Sequence, residues 1–206
     1  MAEHLEIERK FDVGEDFERP DFGAIGGVRP AGPVTRQLSA TYYDTSDQRL
    51  AAAGVTLRRR AGGDDEGWHL KLPASPGPAS PGPGPALARR ELREPLSDEP
   101  PAALAARVAA LTDGAPLAPI ATLDTERIVV TLSVNGSVVA EVDDDVVTAR
   151  RLPGGAALRW REIEVEVSQP GEPADRVAGA AAEELEKAGA RPARSSSKLA
   201  RLLAGG

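Results

Sequence analysis

The sequence has no cysteine and only two histidines, His4 and His69. The absence of cysteine excludes disulfide bonds, cysteine-ligated zinc and catalysis by a thiol group. Two histidines are too few for a metal site built from imidazole ligands. Thiol chemistry and the common zinc sites are therefore outside what this chain can support.

Aromatic residues are also scarce, at 3% of the chain, so the hydrophobic core has to be built from alanine, valine, leucine and isoleucine. No apolar run approaches the roughly 18 residues of a membrane-spanning helix. The first residues, 1–10, are charged and lack the apolar region of a signal peptide. We therefore expect a cytoplasmic protein that does not contact a membrane.

The chain has 206 residues, a length that suits one domain, 1–206, with a sizeable core. Its formal net charge is −7, which argues against a general nucleic-acid-binding protein, because such proteins present basic surfaces. A polyanionic ligand would have to enter a site that is basic only locally.

Segments in which apolar and polar residues alternate predict eight β-strands. The strands are predicted at residues 3–13, 34–43, 55–61, 68–72, 87–96, 118–134, 137–150 and 156–168. Helices are predicted at residues 48–53, 102–111, 172–188 and 195–203. Asn135-Gly136 is a strong hairpin signal, and the other connections are also short, so antiparallel neighbours are expected.

Proline and glycine concentrate in two further segments. Residues 14–33 are predicted to be a loop with at most one short helical turn. Residues 73–85, PASPGPASPGPGP, favour neither helix nor ladder, because proline lacks the amide donor and glycine has no side chain to pack. We expect a flexible loop inside the domain, because the strand pattern resumes at Leu87.

The charged side chains of each predicted strand share one face, since successive residues of a strand point to opposite sides. The sign of the charge is sorted between strands, with basic groups on some and carboxylates on others. The basic side chains on these faces are Arg58, Arg60, Lys71, Arg89, Arg93 and Arg127. The acidic ones are Glu6, Glu8, Glu91, Glu141, Asp143, Asp145, Glu162, Glu164 and Glu166.

Two architectures are compatible with these faces. An open sheet would place the charged faces in water, which explains the alternation but not the sorting of sign, because surface charges are usually interspersed. A barrel with the charged faces inside and helices on its apolar outside would bring the two signs together. Enclosed charges are costly unless they are paired or liganded, and a polyanion with a divalent metal would meet that need.

Seven segments resemble the CYTH family, the triphosphate tunnel metalloenzymes. The matching motifs are Glu6-x-Glu8-x-Lys10, Tyr42-Tyr43-Asp44-Thr45, Leu57-Arg58-Arg59-Arg60, Leu70-Lys71, Arg89-x-Glu91, Trp160-Arg161-Glu162-Ile163-Glu164-Val165-Glu166 and Ser197-Lys198-Leu199. They follow the expected order and cover essentially the whole chain. The resemblance implies an α+β fold, an eight-stranded antiparallel β-barrel with helices packed outside, that binds triphosphate together with Mg²⁺ or Mn²⁺.

The resemblance also implies two sets of site residues. The expected metal ligands are Glu162 and Glu164 with Asp143, and Glu6 and Glu8 for a second metal or its waters. The expected phosphate ligands are Lys10, Arg58, Arg60, Lys71, Arg89, Arg127 and Lys198. Arg93 and Asp145 are closer to strand ends, where structural ion pairs are expected, and Glu91 and Glu141 could orient the basic groups.

Lys10 and Tyr42 resemble a catalytic dyad proposed in some family members to assist the attack of water. A lysine crowded by Arg58 and Arg60 would have a lowered pKa and could act as a base. In the alternative, Lys10 only binds phosphate. The sequence leaves both roles open.

The favoured function is metal-dependent hydrolysis of inorganic triphosphate or short-chain polyphosphate, by a monomer or homodimer. The scarcity of aromatic residues argues mildly against a site for an organic ring. The enzymatic alternatives are a class IV-type adenylyl cyclase and a thiamine triphosphatase. A non-catalytic polyphosphate-binding module is the alternative from another class, and the large number of carboxylates argues against it.

Overall fold

The computed structural model describes residues 2–74, 85–167 and 169–205. In these residues the chain forms nine strands, four α-helices and a short 3-10 turn at Phe22–Ala24. The strands are β1 (Ala2–Val13), β2 (Arg29–Asp44), β3 (Thr56–Ala61), β4 (Gly67–Pro73), β5 (Leu87–Glu94), β6 (Ala118–Val134), β7 (Ser137–Arg151), β8 (Ala157–Val167) and β9 (Arg191–Pro192). The helices are α1 (Arg49–Ala52), α2 (Ala102–Thr112), α3 (Ala174–Lys187) and α4 (Lys198–Ala204).

Eight of the strands close into an antiparallel barrel. Their order is β5-β4-β3-β2-β6-β7-β8-β1, and β1 pairs with β5 to complete the circle. The ninth strand, β9, pairs with β1 at Phe11 and Asp12, outside the barrel. The predicted fold class, an eight-stranded antiparallel barrel with helices packed outside, is confirmed.

Two apolar clusters cover the outside of the barrel. One packs α3, through Val177 and Leu185, against Ile163 and Val165 of β8 and their neighbours. The other packs Leu104 and Val108 of α2 against Trp68 and the leucines of β3, β4 and β5. Burial of these apolar faces stabilises the fold, and it turns the opposite, charged faces of the same strands toward the barrel interior.

A third apolar cluster lies at one end of the barrel interior, where β2 finishes and β3 begins. Leu199 and Leu202 of α4 pack there against Tyr42, Ala121 and Trp160. Trp160 has the same strand parity as Glu162, so it lies on the inner face of β8. The α4 helix thus closes this end of the barrel with apolar side chains.

The structure corrects the predicted start of the second strand. Residues 29–33, predicted to be a loop, belong to β2 despite Pro30 and Pro33. They pair with β6, whereas β3 pairs with β2 only at residues 39–43, so one edge of β2 is free and prolines are tolerated there. A register shift between Ala31 and Val34 absorbs the irregular backbone.

Other differences concern short elements. β9 has two residues and no alternating pattern, so the sequence did not predict it. The Asn135-Gly136 turn is confirmed, with both residues at positive φ as a two-residue hairpin requires. Residues 75–84 of the predicted flexible loop lie outside the described residues, and that prediction stays untested. None of the described helices is long and apolar enough to span a membrane.

Candidate functional site

A charged cavity of about 180 Å³ lies inside the barrel. Nine basic and eight acidic side chains line it, together with Leu38, Tyr42, Thr56 and Ser197. They come from the inner faces of β1 to β8, from the start of α4 and from the loop between β3 and β4. The strand alternation therefore produces the two-signed interior that the sequence predicts for a barrel.

All seven predicted phosphate ligands line this cavity. They are Lys10, Arg58, Arg60, Lys71, Arg89, Arg127 and Lys198. Arg58 and Arg60 have adjacent inward positions on β3, and both are buried. The Nε atoms of Arg58 and Arg60 have no hydrogen-bond partner among the described residues. A buried donor without a partner costs free energy. A ligand that accepts hydrogen bonds from these two guanidinium groups would remove that cost.

The predicted metal ligands divide into two groups. Glu6, Glu8, Asp143 and Glu164 line the cavity, and Glu162 does not. Glu162 accepts a hydrogen bond from Trp160 Nε1 at 2.6 Å and lies 2.9 Å from Lys198 Nζ. In this structure it is an ion-pair partner of Lys198 on the inner face of β8, and its predicted role as a metal ligand stays a prediction.

Arg127 and Lys198 are held by a shared set of carboxylates. Asp145 accepts from Arg127 Nε at 2.7 Å and from Arg127 Nη2 at 2.6 Å, and its Oδ2 lies 2.8 Å from Lys198 Nζ. Asp145 is fully buried and does not line the cavity. Its contacts are those of a structural ion-pair partner, the role expected for it from the sequence.

Glu164 lies at the centre of the cationic side chains. Its carboxylate contacts Lys10, lies 2.6 Å from Lys198 Nζ and 2.9 Å from Arg127 Nη2. Burial alone would raise its pKa, but the three positive charges hold the pKa of Glu164 well below the ordinary value. This carboxylate is therefore ionised and fully compensated by cations.

Lys10 does not have the lowered pKa that the sequence suggested. Burial alone would lower it, but Glu164 and Glu8 outweigh burial and raise the pKa of Lys10. The hydroxyl of Tyr42 instead accepts a hydrogen bond from Arg58 at 3.4 Å. The predicted partners Lys10 and Tyr42 thus have different neighbours, and the raised pKa of Lys10 favours the alternative in which it binds phosphate over a role as a base.

A row of carboxylates crosses three neighbouring strands of the barrel. Glu166 of β8 lies opposite Glu8 of β1 on one side and Glu141 of β7 on the other. Burial and the charge of Glu6 raise the pKa of Glu166 to about 8. Burial likewise raises the pKa of Asp143 to about 7, although Arg127 opposes the shift.

This acidic row fits a divalent cation, although the described residues contain no converged group of three or more carboxylate or histidine ligands. Glu6 and Asp143 are charged neighbours of Glu166 in this row. Their Oε2 and Oδ1 atoms are buried without a hydrogen-bond partner among the described residues. Carboxylate oxygens are the ligands that Mg²⁺ and Mn²⁺ prefer. Glu166 and Glu141 are not among the metal ligands predicted from the sequence. Their alternation was visible, but the register that aligns them with Glu8 was not.

Glu91 organises the basic side chains at the opposite wall. It is buried to 1% exposure and lies 2.8 Å from His69 Nδ1 and 2.6 Å from Arg93 Nη2. Burial alone would raise its pKa. Hydrogen bonds from His4 and His69, with neighbouring positive charges, instead hold the pKa of Glu91 far below its ordinary value. This placement agrees with the orienting role suggested for Glu91.

Replacing Glu91 with Gln is expected to lower the free energy of unfolding by about 3–5 kcal/mol, because it leaves Arg58, Lys71 and Arg93 without the buried anion that they share. Urea denaturation at neutral pH measures the loss. Glu99→Gln, the same change at an exposed position, is the matched control. A Glu91→Gln protein as stable as the control would show that the cations do not depend on this carboxylate.

Comparison with known proteins adds three findings. Residues 4–200 match the CYTH domain. Uncharacterized proteins from two strains of Mycobacterium tuberculosis are 40% identical to this chain over 218 residues, covering 98% of this chain. The alignment covers 40% of each relative, so this chain spans about two fifths of the length of the curated relatives that it matches.

Solved structures with the same fold include a proposed adenylate cyclase from Bacillus halodurans, at 19% identity and a TM-score of 0.58 over 98% of both chains. Another is a proposed adenylyl cyclase from Hippeastrum with a dominant triphosphatase activity, at 18% identity and a TM-score of 0.55 over 97% and 96% of the two chains. At these identities the likeness concerns the fold alone. With the family match over residues 4–200, the closed barrel and its two-signed interior, this chain belongs to the CYTH domain family.

Proposed function

We propose that this chain is a metal-dependent hydrolase of inorganic triphosphate or short-chain polyphosphate. The observation that supports it is that one cavity contains both hydrogen-bond donors and carboxylate acceptors without partners. Within the part of the chain that the structure describes, the Nε donors of Arg58 and Arg60 lack hydrogen-bond partners, and so do the Glu6 Oε2 and Asp143 Oδ1 acceptors. Phosphate oxygens suit the first pair and a divalent cation suits the second.

The charge balance of the cavity also favours a ligand made of both. Nine basic and eight acidic side chains nearly cancel, so the walls alone do not neutralise a polyanion with several negative charges. A divalent cation that enters with the phosphate would supply the missing positive charge. CYTH enzymes depend on divalent metals and bind small molecules that contain a triphosphate. A module that only binds polyphosphate would not need so many carboxylates suited to a metal.

The residues present could hold the metal and the phosphates at separate walls. Glu6, Glu8, Asp143, Glu164 and Glu166 are the proposed metal ligands. A bound Mg²⁺ or Mn²⁺ would neutralise charge on the reacting phosphoryl group and favour attack by water.

The chain's own contribution is to position the phosphate chain and to stabilise its developing charge. Arg58 and Arg60 are buried and Arg127 is largely buried, so their charges act in a water-poor site where electrostatic interactions are stronger. Lys10 keeps its proton and donates to a phosphate oxygen once the ligand competes with Glu164. Burial keeps bulk water away from the remaining phosphates.

A second candidate substrate class is a triphosphate ester with an organic group. A cavity of about 390 Å³ between α1 and α4 adjoins the charged one, and Thr56 and Ser197 line both. Its walls include Val55, Leu199 and Leu203, which suit an apolar ring. This observation favours ATP or thiamine triphosphate as the alternative to inorganic triphosphate.

The test is phosphate release from tripolyphosphate, ATP and thiamine triphosphate, with Mg²⁺ or Mn²⁺ and with a chelator. We expect hydrolysis of tripolyphosphate only with metal, and a kcat/KM at least about tenfold above that for either ester, a difference of about 1.4 kcal/mol in transition-state binding. Formation of cyclic AMP from ATP as the main reaction would support the cyclase instead. Tight binding of tripolyphosphate without release of phosphate would support the binding module.

A further inference from the structure

The loop between β3 and β4, residues 62–66, lies at the end of the barrel opposite α4. Its base is fixed by two glycines at positive φ. A Cβ on Gly62 would lie 2.4 Å from the carbonyl oxygen of Gln37, and one on Gly67 would lie 2.6 Å from that of Glu94. The loop therefore approaches β2 and β5 so closely that only glycine fits at these two positions.

Asp65 turns back from this loop into the charged cavity. Its side chain lines the cavity, and Oδ2 lies 2.5 Å from Arg60 Nη1. The backbone carbonyl of the same residue lies 2.7 Å from Nε2 of the buried His69. Asp65 is therefore fixed through its backbone as well as through its carboxylate.

The Asp65 carboxylate is a permanent negative charge at this end of the cavity. Burial alone would raise its pKa, but Arg60 and Arg58 lower it. Its neighbour Asp64 has the same charge but a different position. The Asp64 side chain is 81% exposed and pairs with Arg36 at 2.5 Å, and it does not line the cavity.

We propose that Asp65 sets an upper limit on the length of the phosphate chain that the cavity accepts. The proposal rests on the proposed function, that Arg60 binds phosphate. At the α4 end, apolar side chains line the barrel interior and the adjoining cavity and offer few donors to phosphate, so a longer chain is expected to extend past Arg60 toward the 62–66 loop. There its next phosphate meets a fixed carboxylate that already occupies an Arg60 donor. Like charges in contact disfavour the longer ligand, a means of selecting against a competitor.

The substitution Asp65→Asn tests this inference, because it keeps the size of the side chain and removes its charge. Binding of tripolyphosphate, tetrapolyphosphate and long linear polyphosphate is measured by calorimetry without metal, and kcat/KM for each with metal. We expect the ratio of long-chain to tripolyphosphate affinity to rise about tenfold. Asp64→Asn should leave that ratio unchanged, and Asp65→Glu should preserve the discrimination of the parent.

Two outcomes would overturn the proposal. One is an unchanged ratio in the Asp65→Asn protein, and the other is an equal rise for all three ligands. If Asp65→Asn does not fold, Asp65→Ser provides the uncharged variant. Failure of the proposed function would be visible separately, because the parent protein would then bind none of the three phosphates.

Discussion

Replacing Glu166 with Gln is expected to reduce metal-dependent turnover of tripolyphosphate by about a thousandfold or more, while the metal-free protein stays as stable as the parent or becomes more stable. Glu166 lies between Glu8 and Glu141 and has no cation opposite it on either neighbouring strand. With its pKa raised to about 8, Glu166 is largely protonated near neutral pH without metal, so the change to Gln should cost the metal-free protein little stability. It removes a carboxylate from the proposed metal site, and a bound divalent metal supplies several kcal/mol of transition-state stabilisation. Turnover at saturating Mn²⁺ and thermal melting with and without Mn²⁺ measure both effects.

Glu164→Gln is the matched contrast on the same strand. Glu164 contacts Lys10, Lys198 and Arg127, so this change should lower both turnover and stability. The two variants separate a proposed metal ligand that has no cation opposite it from one that also balances buried cations. If Glu166→Gln hydrolyses tripolyphosphate within about tenfold of the parent at saturating Mn²⁺, Glu166 is not a metal ligand.

Replacing Lys198 with Met should have the second large effect, on stability and turnover together. Lys198 Nζ lies within 2.9 Å of Asp145, Glu162 and Glu164. Without it, these three carboxylates lose a cation that compensates their negative charge. Removing one partner of a buried ion pair costs about 3–5 kcal/mol. Loss of a donor to the phosphate chain should lower kcat by about a hundredfold to a thousandfold. Denaturant unfolding and steady-state kinetics measure the two losses.

Lys187→Met is the control, because Lys187 is an exposed lysine of α3 paired only at the surface with Glu184. It should change neither stability nor turnover measurably. If Lys198→Met keeps the stability of this control, Asp145 and Glu162 do not depend on Lys198 for compensation. Normal turnover in Lys198→Met would remove Lys198 from the proposed phosphate ligands.

The inward faces could be predicted from sequence because alternation in a strand is a local property. Arg58 and Arg60 face the same side whatever their partners, and so do Glu164 and Glu166. The apolar residues between them identify the outer face by themselves. The sorting of charge favoured a closed barrel over an open sheet, and the family resemblance implied the barrel directly.

Pairing across strands could not be predicted in the same way. The alignment of Glu166 with Glu8 and Glu141 depends on register, which no single strand determines. The same limit explains Glu162, whose position next to Lys198 and Trp160 depends on where α4 enters the barrel. Lys10 was expected beside arginines, but register placed it opposite Glu164, and this reversed the direction of its pKa shift.

The inward position of Asp65 in its loop also could not be predicted from the alternation of residues along the strands. Its sequence context, Gly62-Gly63-Asp64-Asp65-Glu66, predicts only an acidic hairpin loop. Which of the adjacent aspartates turns inward is decided by the glycine conformations at the base of the loop and by contacts with Arg60 and His69. Such contacts are tertiary, and composition does not distinguish Asp64 from Asp65.

The position of β1 in the barrel has a consequence for the order of folding. β1 pairs with β5 through its first half and with β8 through its second half, and Lys10 lies opposite Glu164, 154 residues later. Contacts between such distant segments carry a large loop-closure entropy and form late. During synthesis β1 therefore has to wait for the last barrel strand, and the charged cavity is completed only after the rest of the sheet has formed.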